Sequence, residues 1–285
     1  MAWLKWLPWR FILSRAARSR GFLDPVALLA RLHRFAQPSE VGEPIELLRA
    51  GAVFHARGLI NSRVIQHNLD WVWPYWIERQ FDPFDDAFVP RAFSITHINL
   101  THRNWTAVGW PDCPELPIVD PRGLLTPFLD GWSLDGWIFT DDGRCLLPSR
   151  AIFCSQELEL EPLPTLVTRT RQEDLSLVSR VLVEMHGGRP VCRFQLSAQS
   201  DTGAWVVLAL RPCNPEGISF IRQVALSAQR TAWTVDGRTR IVFSAPADLH
   251  HVSDYHTGDV HIHLADPEEQ VEGKCEVGMA TAAAM

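Results

Sequence analysis

The chain lacks any uninterrupted apolar run of about 20 residues, so no segment reads as a bilayer-spanning helix. Its six cysteines never stand in a C-x-x-C spacing, which excludes a zinc ribbon and a thioredoxin-type motif. There is no P-loop, no G-x-G-x-x-G after a strand, no G-x-S-x-G elbow and no H-E-x-x-H pair. No motif calls for an organic cofactor. Basic charge is not in excess either. Lys and Arg number 27 against 33 Asp and Glu, a net charge of -6. A nucleic-acid binder ordinarily shows a dominant basic face, so nucleic acid is not an expected partner. Tyrosine is nearly missing, with 2 residues against 12 tryptophans. That imbalance raises the weight of indole stacking surfaces.

What is present fits a soluble globular protein. The 285 residues are 46% hydrophobic and 21% charged, enough for one large domain or two modest ones. The scattered cysteines read as reduced thiols of a cytoplasmic protein. Charge is unevenly placed. Residues 1–34 hold seven basic residues and one acid, Asp24, leaving 20 basic and 32 acidic residues for the rest. Trp3, Trp6 and Trp9 recur every three residues in that basic segment. Lys5, Pro8 and Arg10 interrupt its apolar run, which a secretory signal would need unbroken. Two readings remain open. Residues 1–20 lie on a membrane surface with indoles at headgroup level, or they dock through the Trp face on a neighbouring domain or subunit.

Residues 1–85 read as a helical, aromatic N-terminal arm. Asp24-Pro25 is a helix start, followed by Leu28, Leu29, Leu32 and Phe35 at helical spacing. Pro38 ends that helix and Pro44 opens another. Trp71, Trp73, Tyr75 and Trp76 crowd around Pro74, which makes a continuous helix there unfavourable. Residues 86–285 read as a β-sandwich domain. Runs at 158–160, 165–169, 175–185, 191–196, 205–210, 219–226, 230–235 and 239–244 have strand character. Gly187-Gly188, Asp201-Thr202-Gly203, Asn214-Pro215-Glu216-Gly217 and Asp236-Gly237 separate them as turns. The expectation is a mostly β protein, a large antiparallel sandwich preceded by a helical arm. The small-residue tail from Gly278 to Met285 has helix propensity, as if a helix were about to begin; the competing reading is a short, disordered terminus.

Two clusters could carry chemistry. His250, His251, His256, His261 and His263 are interleaved with Asp254, Asp259 and Asp266. On a strand His261 and His263 would share a face, and with His256 they form a candidate metal set. The competing reading is a loop and edge strand whose histidines bind backbone groups or face solvent. Asp120, Asp130, Asp135, Asp141 and Asp142 are interleaved with Trp132 and Trp137 and preceded by Trp110. Carboxylates bind sugar hydroxyls and indoles cover apolar sugar faces, so Trp110, Trp132, Asp135 and Trp137 are candidate glycan contacts. The competing reading is turn chemistry at Asp-Gly dipeptides plus tryptophans of the core.

Three runs carry a family resemblance. They are Gln66-His67-Asn68-Leu69-Asp70-Trp71-Val72-Trp73-Pro74-Tyr75-Trp76-Ile77-Glu78-Arg79-Gln80-Phe81, His97-Ile98-Asn99-Leu100-Thr101-His102-Arg103-Asn104-Trp105 and Leu210-Arg211-Pro212-Cys213-Asn214-Pro215-Glu216-Gly217. The chain over most of residues 40–285 resembles the N-terminal region of bacterial glycogen-debranching, amylo-α-1,6-glucosidase-like proteins. The resemblance implies an N-terminal β-sandwich packed on an (α/α)6 barrel that carries the catalytic acid and base. Nothing in this sequence supplies the paired helices of such a barrel, so no catalytic residue is carried over. The implied partners are an α-glucan or oligosaccharide and the barrel, as domain or subunit. The rival readings are a stand-alone binding or assembly module attached by its basic arm, and a metal-dependent enzyme built on His250–His263.

Overall fold

A computed structural model of the chain describes residues 60, 63–79, 84, 104–113, 115–128, 131–215 and 217–285. The expected helices of residues 1–59 and the basic Trp-rich segment lie outside the described residues. The chain divides into two compact units, one of residues 1–66 and 91–97, the other of residues 67–90 and 98–285. The described elements below belong to the second, so the aromatic run at 71–79 joins the sandwich unit.

That unit is mostly β, as the turn-separated runs imply. A short helix, α1 (Tyr75–Arg79), precedes the strands β1 (Thr106–Ala107), β2 (Ile118–Val119), β3 (Leu125–Thr126), β4 (Ser133–Thr140) and β5 (Cys145–Leu146). Four long strands follow: β6 (Phe153–Glu159), β7 (Thr165–Gln172), β8 (Leu175–His186) and β9 (Arg189–Gln199). Next come β10 (Ala204–Arg211), β11 (Cys213–Asn214), β12 (Gly217–Ile218), β13 (Gln223–Leu226), β14 (Ala232–Val235) and β15 (Thr239–Val242). Last are β16 (His250–Ser253), a 3₁₀ turn at Val260–His263, β17 (Glu272–Lys274) and β18 (Thr281–Ala284).

The largest sheet runs β1-β2-β3-β4-β10-β18-β16, with β5 also on β4. Two four-stranded sheets, β6-β7-β8-β9 and β15-β14-β13-β17, accompany it. Every strand pair is antiparallel, as hairpin connections require. The turns do what their composition predicts. Gly187 and Gly188 both have positive φ (57° and 77°), as do Asp236 and Gly237 (50° and 66°). Two central residues in that region match the twist of a tight hairpin.

β4 is buried on both faces. Its even positions meet the β6–β9 sheet: Ile138 packs with Leu146, Leu175 and Leu177. At Gly136 a Cβ would stand 2.4 Å from Leu196 Cδ2, so the absence of a side chain there lets β9 close over β4. Its odd positions face a second core, where Trp137 packs with Val72, Val207, Ala209, Val260 and Ala283. Ala209 stands opposite Asp135 and Ala283. Small residues at these positions leave room for the indole. The third sheet is tied to the first by Trp233, whose Nε1 donates to His250 Nε2 at 2.7 Å.

Three expectations are corrected. The small-residue tail does not start a helix. Residues Thr281–Ala284 form β18, fully buried between β10 and β16, because tertiary packing overrides the weak helix preference of alanine. Asp135-Gly136 is not a turn but the middle of β4. His261 and His263 are not on a strand but in the 3₁₀ turn, where positions two apart do not share a face.

Candidate functional site

The site grows from the strand β10. Alternation puts Trp205, Val207, Ala209 and Arg211 on one face, so the run of core residues ends in a buried arginine. Arg211 is 1% exposed. A guanidinium there needs an anionic partner, and Asp259, at the N-cap of the 3₁₀ turn, supplies it. Nη1 donates to Asp259 Oδ1 at 2.6 Å and Nη2 donates to Oδ2. Nη1 also donates to Thr281 Oγ1 at 3.1 Å. The guanidinium carbon is 5.7 Å from the centre of the Trp71 ring and 5.1 Å from that of the Trp137 ring.

The pair does a second job. Nη2 of Arg211 donates to the Val72 carbonyl at 2.8 Å, and Asp259 Oδ2 accepts from the Val72 amide at 2.7 Å. Both backbone groups of Val72 are thus satisfied by an ion pair where a neighbouring strand would ordinarily satisfy them. Arg150 holds the same segment from its other side. It donates through Nη2 to Trp71 O at 2.8 Å and through Nε to Glu78 Oε1 at 3.0 Å. The Trp71-Val72-Trp73-Pro74 run is therefore pinned against the sandwich.

Beside this clamp a narrow cleft opens, lined by Asp120, Arg122, Asp135, Ser149, Arg211 and Cys213. It has room for a water-sized group. Asp120 Oδ1 accepts the amides of Arg122 and Leu124 at 2.8 and 3.0 Å. Asp135 Oδ2 accepts Trp137 Nε1 at 2.8 Å and Oδ1 accepts the Gly136 amide at 2.9 Å. Burial is the main influence on both carboxyls. It pushes Asp135 up to about 7; the Trp137 hydrogen bond opposes the rise and the nearby Asp120 charge adds to it. It pushes Asp120 up to about 6 against the pull of its backbone hydrogen bonds. Burial works against ionised Asp259 too, but the Arg211 charge and the hydrogen bonds around that carboxylate outweigh it, and Asp259 stays well below the ordinary range. Three acids within one buried cluster thus divide into one permanent anion and two groups that titrate near neutrality. The Cys213 thiol, also pushed up by burial to about 12, stays neutral.

The predicted glycan contacts separate. Trp137 is fully buried and Trp132 is 7% exposed, so both indoles belong to the core and offer no face to a sugar from solvent. Asp135 faces the cleft rather than the surface. Trp110 alone of the four is half-exposed, in the turn between β1 and β2 where its carbonyl accepts the Cys113 amide at 3.1 Å.

The predicted metal set does not converge. His263 uses both ring nitrogens within the protein, Nδ1 with Asp266 Oδ2 at 2.7 Å and Nε2 with Thr257 O at 3.0 Å. His256 is exposed against the Tyr255 ring, and His261 Nδ1 is 3.7 Å from Asp259 Oδ1. Among the described residues no group of three His, Cys, Asp or Glu side chains is arranged to hold a metal ion. Arg122 and Ser149 carried no signal in the sequence. Arg211 did carry one, as a charged residue on the inward face of an otherwise apolar alternating strand.

No family model, curated protein or solved structure matches the chain.

Proposed function

We propose that this chain is the non-catalytic β-sandwich portion of a carbohydrate-active, α-glucan-processing protein, cytoplasmic and acting with an (α/α)6 barrel that carries the chemistry. One observation supports the reading above others. Two of the runs that resemble glycogen-debranching proteins, separated by about 140 residues, meet in one place. Val72 of the first is held by Arg211 of the second, and Trp73, Pro74 and Cys213 line the same cleft. The resemblance thus falls on residues that build a common core rather than on scattered matches. All six cysteines are free, which agrees with a reducing compartment. No helix among the described residues is long and apolar enough to cross a membrane.

Glucan contact on this reading goes through the half-exposed Trp110, because Trp132 and Trp137 are enclosed. The test is affinity electrophoresis of the pure chain through gels with and without glycogen or branched dextrin, together with a glucose-release assay. Retardation that Trp110→Ala abolishes, with no glucose released, is the expected result. Glucose release by the chain alone, or migration unaffected by every α-glucan, overturns it.

A further inference from the structure

The strand β9 has one side of its backbone unused. It is the last strand of the sheet β6-β7-β8-β9 and pairs with β8 one residue to one, from Arg189 opposite His186 to Gln199 opposite Ser176. Beyond that pairing, no backbone group of β9 takes part in a hydrogen bond among the described residues. A long, unbulged edge of this kind is a template for another strand, and β9 runs for 11 residues. Its core-facing residues Cys192, Phe194, Leu196 and Ala198 are only half-buried, while Arg193, Gln195, Ser197 and Gln199 are exposed. Val206 of β10 stands opposite Ile138 and so lies on the side of the large sheet that this sheet covers, yet it is 38% exposed. The cover over β10 is therefore incomplete.

The opposite edge of the sheet differs. β6 has 7 residues, and its Gln156 Nε2 donates to the Asp120 carbonyl at 2.8 Å while Cys154 Sγ donates to the Pro121 carbonyl at 3.4 Å, so a loop already engages it. On β9 the charges suggest what fits. Arg189 and Asp201 stand at its two ends, both exposed, and neither has an ion-pair partner among the described residues. Two copies laid antiparallel along β9 about a two-fold axis at Gln195 set Arg189 of each opposite Asp201 of the other. The same register sets Phe194 opposite Leu196 on the core side. The smallest slip that keeps the apolar residues on that side moves the axis by one residue. An axis at Phe194 sets Arg189 against Gln199, and one at Leu196 sets Asp201 against Val191, so both lose the charge match.

We propose that β9 is a self-pairing edge. Two copies of this chain join antiparallel along it, about a two-fold axis at Gln195, and two four-stranded sheets become one eight-stranded sheet. The contact is isologous, as a two-fold dimer requires. Backbone hydrogen bonds hold the strands together, and an Arg189–Asp201 pair at each end sets the register. The added strand also covers Phe194 and Leu196. This inference does not depend on the glucan reading.

Sedimentation velocity of the full chain over a concentration series tests it. The mean mass rises with concentration from 32.3 kDa toward about twice that value. Gln195→Glu sets two like charges face to face across the axis, and Arg189→Glu sets a glutamate against Asp201 at both ends. Each raises the dimer Kd about tenfold, and adding Asp201→Lys to Arg189→Glu restores it. These positions are exposed, and circular dichroism checks that each variant stays folded. A cysteine pair reads the register separately. Gln195→Cys brings two thiols opposite each other at a cross-strand spacing that a disulfide can bridge, so mild oxidation links this variant into covalent dimers. Ser197→Cys, opposite Arg193, and the wild-type chain with its six free cysteines link far less. A chain that stays monomeric at every concentration overturns the proposal. So does a dimer whose Kd is unchanged by Gln195→Glu and Arg189→Glu, or in which Gln195→Cys links no faster than Ser197→Cys.

Discussion

The Arg211 guanidinium and the Asp259 carboxylate meet through two parallel hydrogen bonds while both side chains are sealed from solvent. The two residues come from β10 and from the 3₁₀ turn, 48 positions apart. A buried ion pair is not in itself a large source of stability, since desolvation of both charges offsets much of their attraction. This one has a further use. It satisfies the amide and the carbonyl of Val72, and so fixes an aromatic segment onto a sheet to which that segment adds no strand.

Breaking the pair therefore has two costs, an uncompensated buried charge and unpaired backbone groups at Val72. Arg211→Met should lower the free energy of unfolding by about 3–5 kcal/mol in urea titrations. Asp259→Leu should cost a similar amount. The double variant should be less destabilised than the sum of the two, because no charge is then stranded, but still below wild type because Val72 remains unpaired. Strictly additive losses would show that the two side chains do not act as a pair.

The two raised carboxyls predict a pH dependence of opposite sign to the usual one for acids. Asp120 and Asp135 have folded pKa values of about 6 and about 7, above the 3.8 of the free group. Between these limits the folded state binds more protons than the unfolded state. Their contribution is favourable below about pH 4 and is lost as pH rises through 6 to 7. Asp135→Asn keeps an acceptor for Trp137 and removes the titration. Its NH2 group faces the Gly136 amide, a cost that does not vary with pH, so the variant should gain on the order of 3 kcal/mol relative to wild type between pH 4 and pH 8. A constant difference across that range would show that Asp135 does not titrate where its burial implies.

His250 predicts the ordinary sign. Its Nε2 accepts from Trp233 and its Nδ1 bonds the Gln270 carbonyl, so the ring is held as the neutral Nδ1–H tautomer. Burial, with a smaller push from Arg230, lowers its pKa to about 4, against the pull of that carbonyl. The unfolded state binds the extra proton between about pH 4 and 6.5, so the contribution is full above 6.5 and lost as pH falls toward 4. The Hε1 resonance of His250 should titrate near pH 4 in NMR spectra. A midpoint near 6.5 would mean that the ring is not enclosed as described.

The hairpin strands were legible because their signals are local. Alternation, β-branched residues and Gly-Gly or Asp-Gly turns lie within a dozen residues of each other around β8, β9, β14 and β15. β4 was not legible. It is covered on both faces, so it has no polar alternation, and its Asp135-Gly136 pair imitates a turn. β18 was hidden because alanine carries helix preference, and only a neighbouring indole and two flanking strands make it a strand. The site draws on positions 72, 120, 135, 149, 211 and 259, which no spacing rule connects. Asp120, Asp135 and Asp259 stand out in the sequence only as members of other clusters, and the inward-facing Arg211 on β10 implies a partner without naming Asp259.

Gly136 tests how closely the sheets approach. A Cβ at this position would meet Leu196 Cδ2 at 2.4 Å, Cδ1 at 3.0 Å and Cγ at 3.3 Å. All three atoms belong to the end of one partly buried leucine, which has to turn or be pushed aside. Gly136→Ala should cost about 1–3 kcal/mol from overpacking. Combining it with Leu196→Ala should cost less than the two separately, because each removes the other's clash or void. Equal and additive costs would place the β9 side chain away from β4.

The burial of β18 gives the sharpest test of the architecture. Ala282, Ala283 and Ala284 pair with β10 on one side and β16 on the other, and the Met285 amide donates to the Leu249 carbonyl at 3.0 Å. A frayed, helix-forming tail would exchange its amides freely and tolerate removal. A central strand cannot, since its loss leaves two strands with unpaired edges and opens the core under Trp137. The amides of Ala282–Ala284 should be among the most protected in hydrogen-exchange measurements. Deleting residues 281–285 should abolish cooperative unfolding. Substituting Ala283, which packs beside Trp137, with leucine should destabilise by about 1–3 kcal/mol. Rapid exchange at these amides, with a truncated chain that still unfolds cooperatively, would remove β18 from the sheet and with it Thr281, one of the groups that hold Arg211.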